Sequence, residues 1–217
     1  MNGKDYHLRE LEIARSPSDA RRVMPPVLRG IRRVLDIGCG AGQTLIAADM
    51  GGAYKTGIDC DFEALQLGRQ LCSDIHSDIH VVHAAGEALP FRDGTYDLVI
   101  SRVALPYMHI PTTVREAARV LVPNGRVWFV LHPVSMLSWK RNVLSLRRTA
   151  FGLYVGLNSL LFHFLGLQIR FPLNRAKIES VQTCAGMTRC LKACGFGDIE
   201  FRTGTHFVVT ARKPSAS

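Results

Sequence analysis

Between Ala117 and Ile178 the sequence contains neither aspartate nor glutamate, whereas Arg119, Arg126, Lys140, Arg141, Arg147, Arg148, Arg170, Arg175 and Lys177 place nine positive charges there. The formal net charge is +9, so everything outside that window balances to zero. A block of one sign suits an anionic membrane surface or nucleic acid, or else is a solvated basic face. Aromatic residues are not interleaved with these charges, which disfavours single-stranded nucleic acid as a partner. Paired CxxC motifs are also missing. Cys184, Cys190 and Cys194 lack the spacing of structural zinc ligands, so no metal is expected, and these three read as small apolar residues. The N-terminal stretch MNGKDYHLRELEIARS is too polar and charged for a signal peptide, which points to a reducing, cytoplasmic compartment. With no internal repeat and no low-complexity tract, the 217 residues read as one domain, 1–217, opened by a polar helical arm over 1–30 that breaks at Met24-Pro-Pro-Val27.

Beyond Arg33 the texture changes to short β-branched runs alternating with helical patterns. RVLDIG, AYKTGID, IHVVHA, YDLVISRV and VWFVLHP read as strands. QTLIAADM, FEALQLGRQLCS with Asp61 as N-cap, TTVREAARVL and IESVQTCAGMTRCLKACGF read as helices. This alternation predicts βαβ units and a parallel sheet covered on both faces. The last two strands, DIEFRT and HFVVTARK, are joined by GT, too short for a helical crossover, and therefore form an antiparallel hairpin.

LDIGCGAG, Leu35 to Gly42, lies where the first strand turns into the first helix. Glycines there let backbone approach a ligand, and the helix start offers unpaired N–H groups. A dinucleotide fingerprint, G-x-G-x-x-G, would need a third glycine at position 43, which holds Gln43. The acid and glycines stand instead at Asp36, Gly38, Gly40 and Gly42, a spacing that resembles the D/E-x-G-x-G-x-G motif of class I S-adenosylmethionine-dependent methyltransferases, of the small-molecule and ubiquinone-menaquinone-biosynthesis type. Three further stretches are similar to that family in the same order: Asp59 closing the second strand, EALPFRDGTYDLVIS from Glu87 to Ser101, and REAARVLVPNGRVWFV from Arg115 to Val130, with Asn124 in place of a glycine.

The resemblance implies an α/β, Rossmann-like, seven-stranded, mostly parallel doubly wound sheet with an antiparallel terminal hairpin and a helical insertion between strands five and six. It implies S-adenosyl-L-methionine as cofactor, held by Asp36, Gly38, Cys39, Gly40, Gly42, Asp59, Cys60, Gly86, Glu87 and Ser101, with Asp59 on the ribose hydroxyls. Relatives often carry an acid for the adenine amino group just before EALPF; here Ala85 and Gly86 stand there, so their backbone or Glu87 takes that role. Methyl transfer from a sulfonium is an in-line displacement that requires alignment and exclusion of water, and a base only where the acceptor must lose a proton. His132, Tyr107 and His109, at the carboxyl ends of strands, are the candidates for it.

From Thr149 to Ile169 no side chain is charged, and a run of about 20 apolar residues is long enough to span a bilayer. A crossing would put the closing hairpin on the opposite side from the first five strands, so the span is excluded on topology. Residues 134–178 are instead expected to form a helical cap that covers a lipophilic acceptor or rests on lipid. Within it Gly152, Gly156, Ser159, His163, Gly166 and Arg170 fall on one small or polar stripe, with Phe151, Tyr154, Leu157, Leu161, Phe164 and Leu165 outside it. His163 and Tyr154 are the substrate-binding candidates. The expected partner is a small hydrophobic acceptor at a cytoplasmic, peripherally membrane-associated protein. RNA methylation and non-catalytic cofactor binding or scaffolding are the alternatives, and the oligomeric state is not specified by sequence.

Overall fold

The computed structural model describes residues 3–75, 78–132, 146–174 and 178–215. The first part of the expected cap, 134–145, and the basic residues Lys140, Arg141, Arg175 and Lys177 lie outside the described residues. Seven strands, β1 (Arg33–Ile37), β2 (Tyr54–Asp59), β3 (Ile79–His83), β4 (Tyr96–Arg102), β5 (Leu121–Leu131), β6 (Gly197–Arg202) and β7 (Phe207–Arg212), form one sheet in the order β3-β2-β1-β4-β5-β7-β6. The first five run parallel; β7 pairs antiparallel with both β5 and β6.

The central strands are apolar on both faces because both faces are covered. Alternation along them divides the core in two. Leu35, Ile37, Val99 and Phe129 pack with helices α4 (Ile110–Val120) and α6 (Cys184–Ala193). On the other face Val34, Leu98, Ile100, Trp128, Val130 and Val208 meet Val23, Met24 and Leu28 from the irregular chain before β1, together with Leu45 of α2 (Gln43–Ala47). Helix α3 (Phe62–Asp74) starts at Asp61, whose side chain accepts from the N–H groups of Glu63 and Ala64 as expected of an N-cap. Strand order reverses on either side of β1, between β2 and β4, which places the crevice of this fold at the carboxyl end of β1. The N-terminal helix α1 (Gly3–Arg15) packs across that end against α2 and α3.

Four elements differ in extent from the sequence expectation. The helix of the N-terminal arm, expected to run to the break at Met24, ends at Arg15, and the chain from there to β1 is irregular. QTLIAADM yields a helix of only 5 residues, α2, which ends before Ala48. Strand β5 starts at Leu121 rather than after the turn; Tyr96 pairs with Leu121 and Leu98 with Arg126, so residues 122–125 bulge out opposite Asp97, with Asn124 left-handed at φ 66°. The helical pattern read from Ile178 begins only at Cys184, because Thr183 caps it through Gly186 N–H. The preceding residues are held away from helix by side chains of α5 (Leu146–Leu165): Asn158 donates to the Glu179 carbonyl, and Val181 N–H donates to Ser159.

Helix α5 lies along α6 and buries Tyr154, Asn158 and Phe162. Its opposite face leaves Leu153 (66% exposed), Leu157 (66%), Leu160 and Phe164 in solvent. No described helix is long and apolar enough to cross a membrane.

Candidate functional site

The turn after β1 is built from glycines in backbone conformations that other residues avoid. Gly38, Gly40 and Gly42 have φ of 74°, 54° and 77°. A Cβ on Gly38 would stand 2.2 Å from the Ala104 methyl, and one on Gly40 would stand 2.9 Å from the His7 ring. The turn is pinned to β2: the N–H groups of Gly38 and Cys39 donate to the Ile58 carbonyl at 2.8 and 2.9 Å, and Gly40 N–H donates to Asp59 Oδ2 at 2.8 Å. Cys39 presents only backbone to the crevice, since its thiol is buried over Gly57 and pushed well up by that burial.

Two carboxylates flank the turn in different states. Asp59 receives N–H donors on both oxygens, from Gly40 on one and from Asp61 at 2.9 Å on the other, which leaves lone pairs for further donors. Asp36 is fully buried and its Oδ1 has no partner, an arrangement that costs free energy until a donor arrives. Burial pushes its carboxyl up to about 7, against the pull of Arg102 and with a further push from Asp59. A glycine turn, an unpaired buried acceptor and a strand-end carboxylate fit a ligand that carries hydroxyl and ammonium donors, as S-adenosylmethionine does.

The other residues expected around the cofactor are divided among several tasks. Ser101 is buried and donates to the Ile37 carbonyl at 2.8 Å, tying β4 to β1. The carbonyl of exposed Cys60 is 3.0 Å from His83 Nε2. Gly86 packs beneath Met108 and Ile37, where a Cβ would come within 2.8 Å of either. Glu87 Oε1 accepts from His109 N–H at 3.0 Å and from Arg170 at 3.3 Å, so this carboxylate joins the loop after β3 to α4 and to the chain after α5.

At the carboxyl ends of β4 and β5, the structure brings two of the three base candidates together. His132, just beyond β5, has Nε2 3.0 Å from the Tyr107 hydroxyl in the 3-10 turn Leu105–Tyr107, and the two rings stand edge to face at 5.4 Å. Partial burial holds the imidazole below the usual histidine range, which favours the neutral form. His109 is occupied otherwise: it caps α4, with Nδ1 2.7 Å from Thr112 Oγ1 and Nε2 3.0 Å from the Gln168 carbonyl.

The two candidates in the cap also have intramolecular partners. Tyr154 donates to the Ile169 carbonyl at 2.8 Å and lies 3.2 Å from Asn158 Nδ2; the His163 ring is 3.0 Å from Thr183 Oγ1. The expected small and polar stripe is split, with Gly166 buried, Gly156 exposed, and Ser159 and His163 between α5 and the start of α6.

The side chains that close the site belong to no motif of the sequence. Helix α1 brings His7 to 2.8 Å from Gln43 Nε2 and Glu10 to 2.9 Å from Arg102 Nη1, while Arg102 Nε donates to Thr44 Oγ1 at 3.0 Å. The signal available was Arg102 itself, a cation at the carboxyl end of a central strand. Between α1 and α3 a cavity of about 250 Å³ is lined by Lys4, His7, Asp61, Glu63 and Leu67 among others, next to the end of β2. A larger one, about 680 Å³, lies under the chain before β1, between Asp49 and the β6–β7 turn at His206, and includes none of the expected site residues.

Residues 35–129 match the family model described as a methyltransferase domain. The chain is 32% identical over 106 residues to an uncharacterized methyltransferase, YcgJ, of Bacillus subtilis, covering 48% of this chain and 42% of the relative. It is 37% identical over 105 residues to a ubiquinone biosynthesis O-methyltransferase of Paraburkholderia xenovorans, covering 45% and 43%. The chain thus spans less than half the length of the curated relatives it matches. Among solved structures, an S-adenosylmethionine-dependent methyltransferase from Mesorhizobium loti superposes with a TM-score of 0.61 at 20% identity, covering 89% of this chain and 95% of that one. Residues 35–129 are therefore a methyltransferase domain, and the chain that carries them has the class I S-adenosylmethionine-dependent methyltransferase fold.

Proposed function

We propose that the protein transfers a methyl group from S-adenosylmethionine to a hydroxyl of a small lipophilic acceptor, which it meets at an anionic membrane surface. The observation that carries the lipophilic part is the exposed apolar face of α5, whose far end runs into the wall of the site: beyond Leu165 the Gln168 side chain accepts from Ile110 N–H at 2.8 Å, and its carbonyl meets His109. Of the cap expected over 134–178, the described residues 146–174 cover the acceptor, and α1 (Gly3–Arg15) closes the cofactor side.

Bound S-adenosylmethionine supplies the electrophilic methyl group. Asp59 and the glycine turn hold the ligand, and Asp36 gives its unpaired oxygen to a ligand donor. Tyr107 and His132 handle the proton: as the acceptor oxygen takes the methyl group, its proton passes to the Tyr107 oxygen while the Tyr107 proton passes to His132. The ubiquinone-pathway O-methyltransferase among the relatives supports a hydroxyl acceptor. The RNA and scaffold alternatives have no counterpart among the relatives named above.

The test is release of S-adenosylhomocysteine by the purified protein over a panel of alkylated phenols and quinols, each paired with its O-blocked derivative. Turnover confined to lipophilic compounds with a free hydroxyl is the expected result. Turnover only with hydrophilic acceptors, or none across the panel despite cofactor binding, overturns the reading.

A further inference from the structure

Arg102 ends β4 beside the glycine turn, with its side chain 11% exposed. A guanidinium has five N–H donors; here one rests on Thr44 Oγ1 in the first turn of α2, and another on Glu10 Oε2 at 2.9 Å. A largely buried cation needs a counter-charge; Asp36 attracts it from β1, but the carboxylate that it hydrogen-bonds comes from α1, a separate element laid across the mouth of the site. Glu10 is more exposed than Arg102, at 24%, so its carboxylate can leave toward solvent without disturbing the core. The ligand that this fold accommodates carries one carboxylate of its own, on its amino-acid arm. The planar donor fork of arginine is well suited to binding that group.

We propose that Arg102 is the carboxylate receptor of the cofactor site and that Glu10 competes for it, so that the cofactor's amino-acid carboxylate displaces Glu10 and loosens the hold of α1 on the site. This rests on the S-adenosylmethionine reading. Arg102 is then a binding residue and Glu10 an intramolecular competitor, which makes opening of α1 part of cofactor exchange.

Calorimetry on the whole chain with two probes separates the possibilities: S-adenosylhomocysteine, and its decarboxylated analogue 5′-(3-aminopropylthio)-5′-deoxyadenosine. The native chain is expected to prefer S-adenosylhomocysteine by about tenfold or more, and Arg102→Gln to erase that preference by weakening S-adenosylhomocysteine alone. Glu10→Gln is expected to tighten S-adenosylhomocysteine several-fold and to leave the analogue unchanged. Equal weakening of both probes by Arg102→Gln overturns the proposal, as does unchanged or weaker S-adenosylhomocysteine binding in Glu10→Gln. The latter variant decides alone if Arg102→Gln does not fold. Binding of neither probe to the native chain overturns the cofactor reading itself, and the proposal with it.

Discussion

At the scale of single residues, the site contains ionisable groups with opposite tendencies. The carboxyl of Asp36 sits at about 7, above its ordinary 3.8, because burial penalises the charge. The folded state therefore keeps a proton that the unfolded chain gives up. The contribution of Asp36 to stability is fully present below pH 3.8 and is lost as pH rises through about 7. Glu116 behaves in the reverse sense: its hydrogen bond to Arg119 holds it below 4.5, so its contribution is present above that value and lost as pH falls through the lowered one. Asp36→Asn isolates the first effect. In denaturant titrations at several pH values, the variant is expected to gain stability over the native chain from mildly acidic to alkaline pH, by a few kcal/mol at most. An unchanged difference across that range would show that the buried carboxyl is not strained. His132, held neutral by burial, is expected to give the rate of hydroxyl methylation an acid limb below the usual histidine pKa. His132→Gln is expected to remove this limb and lower kcat about 10²-fold or more, with Tyr107→Phe acting in the same direction.

Among the elements, α5 and α6 show how closely the proposed cap is joined to the rest of the chain. Gly186 in α6 lies against Phe162 of α5, so close that a Cβ there would stand 2.6 Å from both the Phe162 ring and its carbonyl oxygen. Gly186→Ala gains about 1 kcal/mol of helix propensity but overpacks a fully buried contact, at a cost of about 1–3 kcal/mol. The expected net result is a melting temperature lower by a few degrees in calorimetry, and a rise would mean that the two helices can separate freely. The contact also indicates what could be read from sequence. β1, β2 and β4 and the cap of α3 at Asp61 were legible, because short β-branched runs, ended by glycine in β1, and an N-cap before a helical pattern are local signals. The start of α6 was not legible: Ile178 to Gln182 fit a helical pattern, and only the side chains of Tyr154, Asn158 and Ser159, some twenty residues away, draw that backbone into an extended path. The glycine turn, Asp36 and Asp59 were likewise evident as a motif. The closure of the site by His7 and Glu10 was not, since nothing in a polar N-terminal helix says which crevice it will cover. Glu116 and Arg119, within REAARVLVPNGRVWFV, acquire a structural meaning only in three dimensions: Glu116 accepts from Leu89 N–H, and Arg119 donates to the carbonyls of Leu89 and Phe91, so the pair anchors the loop that carries Gly86 and Glu87.

For the molecule as a whole, the distribution of charge and apolar surface gives the cap a direction. The acid-free window from Ala117 to Ile178 contains α5, and the face of α5 turned away from α6 is leucine and phenylalanine. An apolar helix face within a net positive segment is the combination that binds anionic bilayers at their interface, with apolar contact and attraction to lipid headgroups acting together. A soluble partner for the same face would need to cover several adjacent large side chains, including Leu153, Leu157, Leu160 and Phe164. Co-sedimentation with vesicles is expected to retain the protein when anionic phospholipid is present, to weaken with zwitterionic lipid alone, and to weaken further in high salt. Replacing Leu157 and Leu160 together by glutamate removes apolar contact and adds repulsion, so partitioning is expected to fall by about tenfold or more, while the melting temperature holds because both side chains are exposed. Retention that ignores anionic lipid and survives the double substitution would sink the membrane assignment. A lipid-free dimer in sedimentation velocity that the same substitution dissociates would instead give the face to a second copy of the chain, with the acceptor then reaching the site from solution.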